Sequence, residues 1–328
     1  MKSFLIAPLL AMLGLGGCAR ADTSDVGAPF TLEREIALPD VKGRIDHLAV
    51  DVAHRRLFVA EIANGTVDSI DLSNGQRGRI TGLARPQGVA YLPALDQLVV
   101  ACGGDGTVRF YHAATLGPAG SIRLGEDADN VRVDAASSLI AVGYGSGAIA
   151  LIDPVRRALV GQIPLPAHPE GFQIDAAKGR LYVNLSDRRA IAVVDLAKRE
   201  VLARWSAPYR LNFPMALGPE GQTFAIVSRL PAHVSWLDAA NGAIRQDRPT
   251  CGDADDVFHD ARRRRWYVSC GAGKVEVFSD NVSAPAFVKT GSGARTSLFS
   301  PDLDRLFVAV PAGWAGEGAR LLVLKPNG

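Results

Sequence analysis

The sequence predicts an all-β chain folded as a seven-bladed β-propeller, and two features carry that prediction. Its apolar segments are short, rich in Val, Ile, Leu, Phe and Tyr, and separated by Gly, Pro, Asn and Asp turns, which is typical of strands. Seven of these segments recur at intervals of 40 to 43 residues and share one apolar position. The shared positions are Leu57, Leu98, Leu139, Leu181, Phe224, Trp266 and Leu306. A fixed period near forty residues, with about four short strands per unit, indicates propeller blades.

The strand order within each repeat is constant, and the two chain ends together supply the last blade. In the first repeat "HLAVD" leads by a tight turn to "RRLFVAEI", and "GTVDSIDLSNG" and "GQRGRITGL" follow. The seventh repeat stops at "RLLVLKPNG", one strand short, whereas "PFTLEREIALPD" before the first repeat is a spare strand. Pairing these segments would close the ring and remove an exposed sheet edge. We therefore expect one domain over residues 30–328, with an N-terminal strand completing the last blade.

Four short motifs resemble those of the YncE-like, or YVTN-repeat, propellers of bacterial envelopes. "GRLYVN" at Gly179–Asn184 and "RRWYVS" at Arg264–Ser269 are close to the sequence that names the repeat. "RPQGVA" at Arg85–Ala90 and "HPEGFQ" at His168–Gln173 are similar to its blade-opening turn. The resemblance covers residues 30–328 and implies a seven-bladed ring of WD40-like repeats. It implies no catalytic residues, because propellers of this kind have varied roles.

The N-terminal segment predicts export. One lysine precedes an apolar run from Phe4 to about Leu15, which is too short to span a bilayer and is typical of a signal peptide. "LGGC" at Leu15–Cys18 resembles a bacterial lipobox, so we expect a signal peptide over 1–17, lipidation of Cys18 and a tether over 18–29. The alternative is a plain signal peptide cut near Ala21. Ala19 after the cysteine favours a periplasmic lipoprotein anchored in the outer membrane, which would touch the membrane only through its lipid.

Charge composition argues against nucleic acid as a partner. Only 21% of the residues are charged and the formal net charge is +2, so the protein has no general attraction for polyanions. Four consecutive arginines at 262–265 fall in the predicted turn between the first two strands of the sixth repeat, on the face away from the channel mouth. We interpret that run as a solvated turn. A monomer with a small-molecule or protein partner in the envelope is the expected state.

Aligning the repeats predicts a ring of polar side chains around the mouth of the central channel. Loops leading into the blades meet at one face of a propeller, where ligands usually bind. The predicted ligand-binding residues are Asp46, His47, Arg85, Gln87, Asp129, Asn130, His168, Glu170, Asp255, Asp256 and Arg295. The alternative is that each acid caps a turn and that the channel holds only water.

A metal ion is one ligand that such a ring could hold. Asp129, Glu170 and Asp255 offer the oxygen ligands that Ca²⁺ or another divalent cation takes. His47 and His168 could instead favour a transition metal. No further cofactor is expected.

Two functions from different classes fit these residues. The first is a non-catalytic binding or interaction platform in the envelope, with a ligand or ion at the mouth. The second is a calcium-dependent hydrolase, because the residue types resemble those at the channels of propeller lactonases and esterases. The sequence holds no G-x-S-x-G, H-E-x-x-H or C-x-x-C-H motif.

The cysteines predict one disulfide. Folding the hairpin of the sixth repeat about Ala261–Arg262 brings Cys251 near Cys270, and an exported protein meets an oxidising compartment. A metal site at these two cysteines is the alternative. Cys102 is then left without an assigned role, and His259 falls at a packed strand position.

Overall fold

The computed structural model describes residues 27–279, 284–313 and 316–328. The predicted signal peptide over 1–17, Cys18 and all but the last three residues of the predicted tether lie outside the described residues. Twenty-eight strands form seven four-stranded antiparallel sheets. Within the described ranges, no helix is long and apolar enough to cross a membrane.

The strands follow one another with short connections throughout the described chain. The first half contains β1 (Phe30–Leu38), β2 (Leu48–Asp51), β3 (Arg56–Glu61), β4 (Thr66–Asp71), β5 (Arg77–Ile80), β6 (Pro86–Leu92), β7 (Gln97–Cys102), β8 (Thr107–His112), β9 (Pro118–Arg123), β10 (Val131–Val133), β11 (Ile140–Tyr144), β12 (Ala148–Asp153) and β13 (Ala158–Pro164). The second half contains β14 (Phe172–Asp175), β15 (Arg180–Leu185), β16 (Ala190–Asp195), β17 (Glu200–Ser206), β18 (Arg210–Leu217), β19 (Thr223–Leu230), β20 (Ala232–Asp238), β21 (Ile244–Pro249), β22 (Ala254–Asp260), β23 (Arg265–Cys270), β24 (Lys274–Ser279), β25 (Ala286–Lys289), β26 (Ser297–Ser300), β27 (Arg305–Val310) and β28 (Ala319–Pro326). Single 3-10 turns occupy Pro93–Leu95, Ser186–Arg188 and Pro219–Gly221.

The predicted fold and its closure are confirmed. Six blades consist of four consecutive strands each, from β2–β5 to β22–β25, and the seventh has the order β1-β28-β27-β26. Strand β1 pairs with β28 from Phe30 opposite Pro326 to Leu38 opposite Ala319. The Asn327 side-chain amide donates to the carbonyl oxygen of Ala28 at 2.8 Å, which extends the closure beyond the strands.

The apolar core lies between adjacent blades. Phe58 of the first blade and Val100 of the second are both fully buried in one cluster, and each neighbouring pair of blades repeats this arrangement. Six of the seven predicted anchors lie in the second strand of their blade. In the third blade the equivalent position is Ile140 rather than Leu139. Ile140 pairs with Val133 as Leu57 pairs with Val50.

The predicted disulfide is confirmed between Cys251 and Cys270, whose Cα atoms are 5.9 Å apart. Both cysteines are buried, and Cys251 lies three residues before β22 rather than within it. Cys102 is a buried free thiol on β7. His259 packs on Trp266 with ring centroids 4.6 Å apart, as a packed strand position requires.

The arginines at 262–264 lie in the turn between β22 and β23, as predicted, whereas Arg265 is the first residue of β23, and the arginines differ in exposure. The Arg262 side chain is 76% exposed, whereas that of Arg263 is only 10% exposed. Arg263 donates to Asp260 at 3.0 Å and to both carboxylate oxygens of Asp304 at 2.7 and 2.9 Å. The turn therefore joins the sixth and seventh blades, and only part of it is solvated.

Candidate functional site at the channel mouth

A polar cavity of about 270 Å³ lies where the segments leading into six blades meet. We call it the mouth cavity. Ten of the eleven residues predicted to bind a ligand line it: Asp46, His47, Arg85, Gln87, Asp129, Asn130, His168, Glu170, Asp255 and Asp256. Segments that are far apart in the chain therefore supply one continuous polar surface.

The backbone just before the first strand, or in its first residues, directs these side chains towards the channel. The N–H groups of Asp46, Asp129 and Glu170 donate to second-strand carbonyl oxygens at 2.7, 2.9 and 3.0 Å. In three other blades the equivalent position falls within a β-bulge, at Gln87, Phe213 and Asp255. A bulge turns its extra residue out of the ladder and so presents that side chain to a shared space.

One side of the mouth cavity is neutralised by arginines. Arg229 donates to the Asp255 carboxylate at 2.6 Å, and Arg44 lies 3.1 Å from an oxygen of Asp46. Arg295 donates to both oxygens of Asp253 at 2.8 and 2.9 Å. We call this arginine-paired region the basic side.

Arg295 is the one predicted ligand-binding residue that does not line the mouth cavity. It holds Asp253, and its Nε lies 3.6 Å from Asp255. Its role in this arrangement is to position and neutralise acids of the sixth blade.

The opposite side of the cavity is acidic and includes histidine. One carboxylate oxygen each of Asp129 and Glu170 and one ring nitrogen of His168 lie within 4.8 Å of one another. We call these three residues the acidic cluster. Ser186 donates to Glu170 at 3.0 Å, and His168 donates from Nδ1 to the carbonyl oxygen of Gly145 at 2.6 Å. Within the described part of the chain, no arginine or lysine forms an ion pair with Asp129 or Glu170 within 4.0 Å.

Burial strongly perturbs the protonation of this side. It raises the pKa of Asp129 well above its ordinary value, and the carboxyl groups of Asp46 and Glu170 raise it further. Burial also raises the pKa of Glu170. The pKa of His47 is lowered to about 4 by burial, and its Nε2 lies 3.9 Å from Asp129. Burial on the acidic side therefore disfavours the charged form of both carboxyl groups, which a bound cation would offset.

Asn130 contributes an unsatisfied oxygen. Its side chain is only 5% exposed, and its Oδ1 accepts no hydrogen bond from any described residue. A buried amide oxygen in this condition costs free energy unless something donates to it or binds it. Its place in the cavity lining makes a ligand the direct way to satisfy it.

The deeper part of the cavity was not predicted from the sequence. Arg132, Gln173 and Phe258 line it and occupy the same register position of β10, β14 and β22. Arg132 lies with its guanidinium 5.7 Å from the ring centre of Phe172. The alternation of side chains along the first strands is the signal that identifies these positions.

Asp256 joins the deep part of the cavity to the seventh blade. It accepts a hydrogen bond from the backbone N–H of Ser297 at 2.7 Å. Burial raises the pKa of Asp256 well above its ordinary value, whereas this bond lowers it. Asp256 therefore has a structural contact in addition to its place in the lining.

Comparison with known proteins supports the architecture. No protein-family model matches the sequence, and no curated protein matches it either. The chain is similar to a solved structure of hydrazine synthase from Kuenenia stuttgartiensis, with a TM-score of 0.75 and 16% sequence identity. That similarity covers 87% of this chain and 97% of the other. At such low identity the likeness concerns the fold alone, and by its strand order the chain is a seven-bladed β-propeller.

Proposed function

We propose that this protein is a non-catalytic binding protein whose mouth cavity holds a small cationic ligand, either a metal ion or an organic cation. The observation that carries the proposal is the composition of the lining. Six carboxylic acids but only four arginines face the same cavity. An excess of buried acid favours a ligand that brings positive charge.

The location of the unpaired acids supports a cation rather than an anion. Asp46 and Asp255 already have arginine partners at 3.1 and 2.6 Å. Asp129 and Glu170 have each other and histidines nearby instead. An anion binding at Arg44 or Arg229 would have to displace the carboxylates of Asp46 or Asp255, which costs charge-assisted hydrogen bonds.

We further propose that the protein works in the bacterial envelope as a YncE-like lipoprotein. The signal-like segment over 1–17, the lipobox-like "LGGC" and the repeat motifs support this location and family. The disulfide between Cys251 and Cys270 agrees with an oxidising compartment, since such bonds are rare in the cytosol. Processing at Cys18 would be detected by mass spectrometry of the membrane fraction, and a soluble, unmodified mature chain would contradict it.

Thermal melting and titration calorimetry of the purified protein test the binding proposal. We expect cations, namely Zn²⁺, Mn²⁺, Ca²⁺ or a diamine such as ethylenediamine, to raise the melting temperature, whereas acetate and sulfate do not. A ligand at a hundred times its Kd adds about 2.7 kcal/mol to the free energy of unfolding, which melting resolves easily. The hydrolase alternative predicts turnover of lactones or esters with Ca²⁺ in the same samples.

A double substitution assigns the effect to the cavity. Asp129→Asn/Glu170→Gln removes two negative charges from the acidic cluster and should abolish the response to cations. The matched control is Glu200→Gln/Asp302→Asn, which removes the same charge from two exposed positions away from the cavity. Equal cation responses in the two double variants would reject the mouth cavity as the site.

A further inference from the structure

We propose that Asp129, His168 and Glu170 form a binding site for one divalent first-row transition metal ion of the Zn²⁺ or Mn²⁺ class, with the amide oxygen of Asn130 as a fourth donor. This inference rests on the proposed function, because it names the cation that the mouth cavity takes.

The spacing of the donor atoms fits one shared ion. Zn²⁺ binds imidazole nitrogen and carboxylate oxygen at about 2.0–2.2 Å, which places its ligands about 3–4 Å from one another. The donor atoms of the acidic cluster lie within 4.8 Å of one another. The donor atoms would therefore have to approach one another by at most about 1–2 Å to share an ion.

His168 is held in a form that can bind a metal. A carbonyl oxygen only accepts hydrogen bonds, so the 2.6 Å contact with Gly145 places the imidazole proton on Nδ1. Nε2 then carries the free lone pair. Histidine ligands commonly donate their other ring N–H to a backbone carbonyl in this way, which fixes the tautomer and the ring orientation.

Asn130 provides an independent sign of a missing partner. Its Oδ1 is buried and has no hydrogen-bond donor among the described residues, although the side chain lines the same cavity. An amide oxygen is a metal ligand but cannot neutralise charge. In the proposed site it would act as a neutral donor, and Asp129 and Glu170 would balance the charge of the ion.

A second cluster of possible metal ligands, in the turns on the face opposite the mouth cavity, differs from the acidic cluster in having an arginine between its acids. Asp51, His54 and Asp96 also place three donor atoms within 4.8 Å of one another. There, however, Arg56 lies between the two acids, with Nη2 at 2.6 Å from Asp51 and 2.8 Å from Asp96. The Arg56 guanidinium therefore already neutralises that cluster. The one at the mouth has no arginine in the corresponding position among the described side chains.

The donor set favours a transition metal over Ca²⁺. Imidazole suits Zn²⁺ and similar ions, whereas Ca²⁺ and Mg²⁺ prefer a shell made only of oxygen. The all-oxygen set of Asp129, Glu170 and Asp255 considered from the sequence is less suitable, because Asp255 accepts from Arg229 at 2.6 Å and lies outside the cluster.

The test uses tag-free, full-length protein treated with EDTA and then dialysed against each metal. We expect elemental analysis to find one Zn²⁺ or Mn²⁺ per chain and melting to shift upwards, with Ca²⁺ at least tenfold weaker by calorimetry. Bound Co²⁺ should show a visible absorption spectrum that reports nitrogen and oxygen ligation. No stoichiometric transition metal would overturn the proposal.

Three substitutions connect the metal to these residues. His168→Ala should weaken Zn²⁺ binding at least tenfold and remove the preference over Ca²⁺, and Asn130→Ala should weaken it less. His54→Ala, at the arginine-neutralised cluster, is the matched control and should bind as the wild type does. Each variant is first shown to be folded by circular dichroism and by its melt without metal. Loss of Zn²⁺ in His54→Ala, or its retention in His168→Ala, would overturn the assignment.

The outcomes separate this inference from the function on which it rests. If ethylenediamine or Ca²⁺ binds through Asp129 and Glu170 while transition metals do not, the metal site is wrong and the cationic cavity stands. If neither metals nor organic cations bind, both are wrong.

Discussion

His168 donates a hydrogen bond from Nδ1 to the carbonyl oxygen of Gly145 at 2.6 Å, and this bond crosses from the fourth blade to the third. Gly145 lies in the hairpin between β11 and β12, whereas His168 precedes β14. Asp129 of the third blade meets His168 and Glu170 of the fourth at the same boundary. The acidic cluster is therefore assembled across a blade interface, and its geometry depends on the closed ring.

The closure strand β1 should contribute strongly to stability through Phe30. Phe30 is 4% exposed and its ring centre lies 4.9 Å from that of Tyr267. Phe30→Ala should lower the free energy of unfolding by about 3–5 kcal/mol, because it removes a buried ring and leaves a cavity. Leu32→Ala on the same strand is the control. Leu32 is 49% exposed, so this substitution should lower the free energy of unfolding by under about 1 kcal/mol. Urea unfolding measures both, and equal losses would contradict a packed closure at Phe30.

The disulfide should stabilise the sixth blade. Its cysteines are 19 residues apart, and closing a loop of that length in the unfolded chain is worth about 3 kcal/mol. Reduction should lower the free energy of unfolding by about that amount and raise the count of titratable thiols in denaturant by two. The double variant Cys251→Ala/Cys270→Ala should be insensitive to the reductant. An unchanged thiol count on reduction would show that the bond does not form.

Adjacent arginines of the run at 262–265 should differ in their contribution to stability. Arg263 is nearly buried and joins Asp260 to Asp304, so Arg263→Ala removes the guanidinium that directly bridges these two carboxylates. Removing the partner of a buried charge lowers the free energy of unfolding by about 3 kcal/mol or more. Arg262→Ala should cost under about 1 kcal/mol, because Arg262 is mostly exposed and 3.5 Å from Asp304. Similar urea midpoints for the two variants would mean that the network across blades six and seven contributes nothing.

The repeat period was sufficient to predict the fold because every blade must bury the same faces against its neighbours. It located the second strand of six blades, and in the third it was wrong by one residue, since Leu139 and Ile140 are both apolar and adjacent. The spare strand at residues 30–38 was predictable because a ring leaves no edge for a missing strand.

The mouth lining could be predicted in part because equivalent backbone positions point to the same space. Which acids are neutralised could not be predicted. Arg229 reaches Asp255 from the fifth blade, and that contact depends on the rotamer of a long side chain across an interface. Arg132 was not predicted because the ring was derived from the segments that lead into the blades, whereas Arg132 lies within strand β10.

Glu61 and Asp68 form a buried carboxyl pair in the first blade. Asp68 accepts from Arg79 at 2.6 Å and from Arg77 at 2.7 Å, so it holds the negative charge. Glu61 is fully buried and accepts a hydrogen bond from Thr66. Burial and the charge of Asp68 raise the pKa of Glu61 to about 7. In the folded protein Glu61 therefore keeps its proton at pH values where the unfolded chain has lost it.

This proton makes the stability of the wild type depend on pH. Between the ordinary glutamate pKa of 4.5 and about 7, the folded state binds more protons than the unfolded state, so the free energy of unfolding falls as the pH rises. Glu61→Gln keeps the shape of the protonated acid and cannot ionise. Its stability relative to the wild type should rise across that window and be constant below and above it. Urea unfolding of both proteins at half-unit steps from pH 4 to 8 measures the difference, and two parallel curves would show that folding does not raise the pKa of Glu61.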